Sequence, residues 1–336
     1  MKNRKLLFFF IAVLIALAVF PLSAQKKVTL KLASLVPENT PWGQALNRMA
    51  VDWAKATNGE VELIIYHGGS AGDEAVSLRK LNLNQIQIAL FTSMGLNQIV
   101  PEILSLSYPL LIQNNEEFEV VLTKLRPELD RKIQEKNYIT LAWAKGGWLN
   151  LFSKRPIFTP ADLRGQKLGS NPDELEMMQA FRAMGYQAIP VGFNDTLVAL
   201  NSSQIEAIYM SPIQVAAGQW FGVAPQMASL NIAPFMGALV MNQAAWRRIP
   251  EKYRPAIQAI CKRLENEINN SVASLEKTAI NTMVQHGLKI NQLSPQNMKE
   301  WQDDIARNES KLAGPIFNND IYRKIVVILD EYRKGK

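Results

Sequence analysis

A chain of 336 residues with 48% hydrophobic and 20% charged residues has an ordinary globular composition and is long enough for two domains. Its formal charge of +7 comes without Lys/Arg runs or a basic stripe interleaved with aromatics, which excludes a nucleic-acid binder. Cys261 is the only cysteine, so no internal disulfide forms, and its spacing with Ile257, Ile260 and Leu264 marks a buried small apolar residue rather than a nucleophile.

Lys2, Arg4 and Lys5 precede an apolar run from Leu6 to Phe20, and Leu22-Ser23-Ala24 supplies small residues. That order is a secretory signal, and cleavage is expected after Ala24. A retained membrane anchor is the alternative, because the run is nearly long enough to span. No cysteine stands at the cleavage point, so a lipid-anchored form is not expected. Cleavage removes three basic residues and no acidic one, lowering the charge from +7 to +4.

Val28 to Ala33 alternates apolar and polar residues as a strand does. A helix from Pro41 places Trp42, Leu46, Met49, Ala50 and Trp53 on one face and stops at Gly59. Val61 to Tyr66 and Ile86 to Phe91 read as strands, with a helix from Glu74 to Leu81 between them. Such alternation argues for a parallel sheet with crossovers. Glu116 to Glu135 reads as helix and Tyr138 to Trp143 as strand.

The pattern then restarts, with strands at Gln166 to Ser170, Ala188 to Val191 and Ala207 to Met210 and helices at Asp173 to Met184 and Thr196 to Asn201. Met236 to Asn242 is strand-like and is expected to return the chain to the first sheet. From Pro250 onward the chain reads as helical. Ile257, Ile260, Leu264, Ile268, Val272, Leu275, Ala279 and Met283 define one helix, long enough to pack along both units. Ser294-Pro295 signals another, with serine as cap and proline in the first turn, and Ile321, Ile325, Ile328, Leu329 and Tyr332 mark a last. The expected organisation is a signal peptide over 1–24, a first lobe over 25–150 joined by 236–275, and a second lobe over 151–235 with part of 276–336. Two connections between lobes would form a hinge.

Gly68-Gly69-Ser70-Ala71-Gly72 fits a G-x-S-x-G nucleophile elbow, which makes a serine esterase using Ser70 the enzyme alternative. Against it, the motif follows the second strand, and only His286 lies downstream as a base. A glycine-rich turn is the plainer reading. His67 and His286 are the only histidines and lie in no ligand-spaced cluster, so neither a metal nor another cofactor is expected. Glu116-Glu117 and Asp303-Asp304 read as helix-surface charges.

Four segments together carry a resemblance: Pro37-Glu38-Asn39-Thr40-Pro41-Trp42-Gly43; Pro101-Glu102-Ile103 with Tyr108-Pro109-Leu110-Leu111; Ser153-Lys154-Arg155-Pro156-Ile157 leading into Pro160-Ala161-Asp162-Leu163-Arg164-Gly165-Gln166-Lys167-Leu168-Gly169; and Phe193 to Leu200. In this order and spacing they resemble the periplasmic substrate-binding proteins of TRAP transporters, over most of residues 28 to 285. The resemblance implies a two-lobed α/β periplasmic-binding-protein fold that closes on one solute, does no chemistry, and hands it to a small and a large membrane subunit. In a subgroup a periplasmic tetratricopeptide-repeat protein joins them.

The family's binding chemistry carries over poorly. The arginine that ends its "DLxGxKxR" run and pairs with the solute carboxylate falls at Gly169. The asparagine that helps hold the carboxylate falls at Met210, and a further arginine at Trp148. The aromatic that stacks on the solute is present as Phe193. Taking a carboxylate from water without a cationic partner is costly, whereas each buried methylene gains about 0.8 kcal/mol, or about 8 kcal/mol for ten before ordering costs. The expected cargo is therefore apolar or amphiphilic, held by Trp42, Phe91, Thr92, Trp148, Gly169, Asn171, Phe193, Tyr209, Met210 and Phe235. A register slip that leaves Lys167 or Lys145 as the cation stays open, as does a periplasmic lipid carrier that uses the fold without a transporter.

Overall fold

The computed structural model describes residues 27–172 and 174–335. The expected signal segment, its cleavage after Ala24, the alternative anchor and the helix start at Asp173 lie outside them. No helix among the described residues is long and apolar enough to cross a membrane.

Strand β1 (Val28–Ser34) buries Val28, Leu30 and Leu32 as its alternation requires. Helix α1 (Pro41–Ala56) begins where the Thr40 hydroxyl accepts the Gly43 amide at 3.1 Å, with Pro41 in the first turn. β2 (Val61–Tyr66), α2 (Glu74–Asn82) and β3 (Ile88–Thr92) follow, and β2-β1-β3 is parallel. After α3 (Ser93–Asn97) and α4 (Asn115–Glu135) comes β4 (Tyr138–Ser153), 16 residues long.

The second unit runs α5 (Pro160–Arg164), β5 (Lys167–Ser170), α6 (Leu175–Ala183), β6 (Gln187–Pro190), α7 (Thr196–Asn201), β7 (Ala207–Met210) and α8 (Pro212–Ala217). Then come β8 (Gln226–Ala228), β9 (Ala233–Asn242), α9 (Gln243–Arg248), α10 (Arg254–Gln285), β10 (Lys289–Asn291), α11 (Pro295–Leu312) and α12 (Asn319–Lys334). β10 interrupts the all-helical tail read from sequence; it pairs with β8, where Ile290 lies opposite Met227.

Strand order is β2-β1-β3-β9-β4-β7-β5-β6. β9 returns to the first sheet as expected and lies antiparallel to β3 and β4. β4 is more than twice the length read from sequence, because it serves both units: Tyr138 to Leu149 pair with β9 and Asn150 to Ser153 with β7. The chain thus crosses between units on continuous strand.

Each sheet is covered on both faces. Over the first, Phe118, Val121, Leu125, Ile321 and Ile325 from α4 and α12 pack on one side. Leu46, Met49, Trp53, Ile257, Ile260 and Ile268 from α1 and α10 pack on the other. Over the second, Met177, Phe181, Trp301 and Ile305 of α6 and α11 face Leu200, Val215 and Met283 across the strands. Because α10 supplies both Ile257 and Met283, it packs along both units. Cys261 is buried on this helix, and burial pushes its thiol up to about 12.

Two pairs of acids read as surface charges prove to be split. Glu117 and Asp304 are buried, at 4% and 2% exposure, while their neighbours face water. Arg333 takes Glu117, and Arg164 donates to both Asp304 oxygens at 2.7 Å, so each acid ties helices distant in sequence.

Candidate functional site

Between the units lies a cavity of about 210 Å³. The first unit supplies Leu35, Trp42, Leu90, Phe91 and Thr92, and the crossing strands supply Ala144, Gly146, Phe235 and Met236. Phe193, Ile213, Gln214, Ala217 and Trp220 close the second side. Among the described residues no charged side chain lines it.

Its side-chain hydroxyls are already engaged. The Thr40 hydroxyl caps α1 and donates to Pro37 O at 2.7 Å. The Thr92 hydroxyl donates to Glu74 Oε2 at 2.8 Å and accepts the Met94 amide. Ser211 caps α8 and donates to Gln214 Oε1 at 3.3 Å. The surface offered to a guest is aromatic and aliphatic, and transfer of apolar area from water is what such a surface rewards.

Local geometry explains how the aromatics reach it. Gln219 adopts a left-handed backbone, φ 55°, which turns the chain after α8 and seats Trp220 edge-on against Phe193, ring centroids 5.2 Å apart. Phe235 lies over Gly146, where any Cβ would collide with its ring, so glycine permits the approach.

A smaller recess of about 70 Å³ adjoins the cavity, with Phe193 and Phe235 lining both. Gly169, Ser170, Asn171, Glu174, Thr196, Tyr209 and Met210 form its second-unit side. The structure therefore gathers Trp42, Phe91, Thr92, Phe193 and Phe235 around the cavity and Gly169, Asn171, Tyr209 and Met210 around the recess. A Cβ at position 169 would lie 2.7 Å from Ile205 Cδ1, so a larger residue there requires the end of that side chain to shift.

Trp148 is a correction. It is buried in the core under α4, with its indole N–H donating to Asn115 Oδ1 at 3.0 Å. The cause is a bulge between Lys145 and Gly147, where Gly147 sits at φ 88°. One extra residue resets the alternation, so Gly146 faces the cavity and Trp148 turns away. The two substitute cations also point elsewhere. Lys145 pairs with Glu119, and Lys167 Nζ donates to Ser203 O at 3.3 Å on the surface.

Sequence reasoning missed Trp220, Ile213 and Ser170. Trp220 had a readable signal, an aromatic just past the short helix that follows the β7 position assigned to the solute. Ser170 follows Gly169 directly.

The comparisons with known proteins agree on the architecture. Residues 32–312 match the family model described as DctP, bacterial extracellular solute-binding protein, family 7. A solute-binding protein of Chromohalobacter salexigens is 23% identical over 84% of this chain and 81% of its own length. A TRAP periplasmic solute binding protein from the same species, solved with D-glucuronate, superposes with TM-score 0.82 at 20% identity, covering 90% of this chain and 99% of that one. One from Sulfurospirillum deleyianum with bound succinate gives 0.81 at 20% identity, covering 89% and 98%. Both solved neighbours hold acids, so the apolar cargo expected from sequence has no counterpart in them.

Proposed function

We infer the ligand from the premise that this chain belongs to the bacterial extracellular solute-binding proteins of family 7, periplasmic receptors that serve TRAP membrane subunits and are not enzymes. Ser70 accordingly sits in an exposed glycine-rich turn whose amide donates to His67 O at 3.0 Å, and the esterase alternative falls.

The cargo proposed for this receptor is apolar or amphiphilic rather than a small dicarboxylate. The supporting observation is the main cavity, walled by Trp42, Phe193, Trp220 and Phe235 with no charged group and with its hydroxyls consumed by caps. The relatives' acids need a cation that this cavity lacks among the described residues, and a bare carboxylate would forfeit its hydration. A hydrocarbon chain has no such hydration to forfeit and gains with each methylene. Delivery to TRAP membrane subunits follows from the family; a tetratricopeptide-repeat helper that shields such cargo is part of the same proposal, and carriage without a transporter is its alternative.

Titration calorimetry with a 1-alkanol series from hexanol to dodecanol tests it. Affinity should climb about fourfold per methylene, the equivalent of about 0.8 kcal/mol. Tight binding of succinate or glucuronate, with no rise along the alkanols, would overturn the reading.

A further inference from the structure

We propose that the recess beside the main cavity is a head-group subsite selecting an uncharged hydrogen-bonding head, a hydroxyl or an amide, over a carboxylate. The inference deepens the apolar-cargo reading and rests on it.

Ser170 and Tyr209 both line the recess and are 6% and 8% exposed, yet neither Ser170 Oγ nor Tyr209 OH has a hydrogen-bond partner. A buried hydroxyl without a protein partner forfeits what water would have given it, and a guest or an ordered water entering the recess restores the bond. Two hydroxyls, each able to donate and accept, match a head that does both. In the main cavity, by contrast, the hydroxyls of Thr40, Thr92 and Ser211 are already engaged.

The electrostatics disfavour an anion. Glu174 lines the recess, and no Lys, Arg or His does among the described residues. Burial and then the Glu174 charge raise the Tyr209 hydroxyl far above its ordinary range, so it stays protonated and can donate. A second carboxylate placed there would meet the Glu174 carboxylate in a recess that no lysine, arginine or histidine lines among the described residues. The recess measures about 70 Å³ beside about 210 Å³ for the main cavity.

The experiment compares 1-dodecanol with dodecanoate, both below aggregation and near about pH 8 where the acid is ionised. Dodecanol should bind at least about tenfold tighter. Tyr209→Phe and Ser170→Ala should each weaken dodecanol, by up to about tenfold, while leaving the increment per methylene unchanged. Glu174→Gln should narrow the gap by strengthening dodecanoate. Equal affinity for the two head groups would overturn the subsite while the apolar-cargo reading stands, and tighter dodecanoate would overturn it in the same way. If neither ligand binds, the parent reading has failed and takes the subsite with it.

Discussion

Helix α10 holds β4 at both ends of its crossing between units, and the two grips differ in their electrostatics. Near the first sheet Glu265 accepts the Trp143 amide at 3.0 Å while Arg126 and Lys262 donate to it at 2.6 Å. Near the second Glu276 accepts the Trp148 amide at 2.8 Å, and no ion pair reaches it among the described residues. Between them Asn269 takes the Lys145 amide at 2.8 Å. All three amides belong to the stretch where bulges break the register with β9. Burial tends to raise the Glu265 carboxyl, but Arg126, Lys262 and the Trp143 amide hold it below the usual range. Burial raises Glu276, and the Trp148 amide offsets only part of that. The same backbone need is met by an ion-paired carboxylate at one end and at the other by a carboxylate whose charged form burial disfavours. The charged grip anchors the frame; the other sits at the Gly147 bulge, where the chain passes between units.

Removing the charged grip should cost most. Glu265→Ala leaves Arg126, about a third exposed, facing a buried void and strips the Trp143 amide of its acceptor. Urea unfolding should show a loss of about 3 kcal/mol, at the low end for a broken buried pair because Arg126 keeps some water. A loss under about 1 kcal/mol would place the anchor elsewhere.

The bulge ranks next. At Gly147, φ 88°, an added Cβ would lie 2.7 Å from Glu276 Oε1, so alanine meets both backbone strain and a carboxylate. Gly147→Ala should destabilise by about 1–3 kcal/mol and slow the approach to ligand saturation, read by thermal unfolding and stopped-flow binding. Unchanged values for both would mean that the bulge is not where the crossing flexes.

The bulge also shows why part of the site could not be read from sequence. Helix α7 and strand β7 were legible residue for residue, because short local patterns with clear stops decide them. The Ser294 cap of α11 was legible for the same reason. β4 was not, since Gly146-Gly147 reads as a breaker and its pairing comes from β9 and β7, far along the chain. Trp148 was misplaced by that one inserted residue. The Pro160 to Gly169 run was legible as a signature, yet much of it builds the frame: Thr159 and Asp162 form a capping box and Arg164 binds Asp304. Long-range partners such as Arg333 for Glu117 leave no local trace. The cavity's apolar wall rests instead on Trp42, Phe91, Phe193 and Phe235, aromatics that could be named from sequence without the register of β4.

The smallest expected effect separates the two carboxylates by pH. With its folded-state pKa raised above 4.5, Glu276 makes the folded protein hold a proton that the unfolded chain releases. Stability should therefore fall as pH climbs from 4.5 through the raised value, and the penalty is complete above it. Glu265 runs the other way: its contribution is full above 4.5 and drains as pH drops through its lowered value. Glu276→Gln keeps an acceptor for the Trp148 amide and has no charge to desolvate. Unfolding curves taken across this range should lose their descending limb in Glu276→Gln, leaving the variant slightly more stable at neutral pH and no different in acid. A variant that is weaker at neutral pH, with the descending limb intact, would show that the two grips are electrostatically alike.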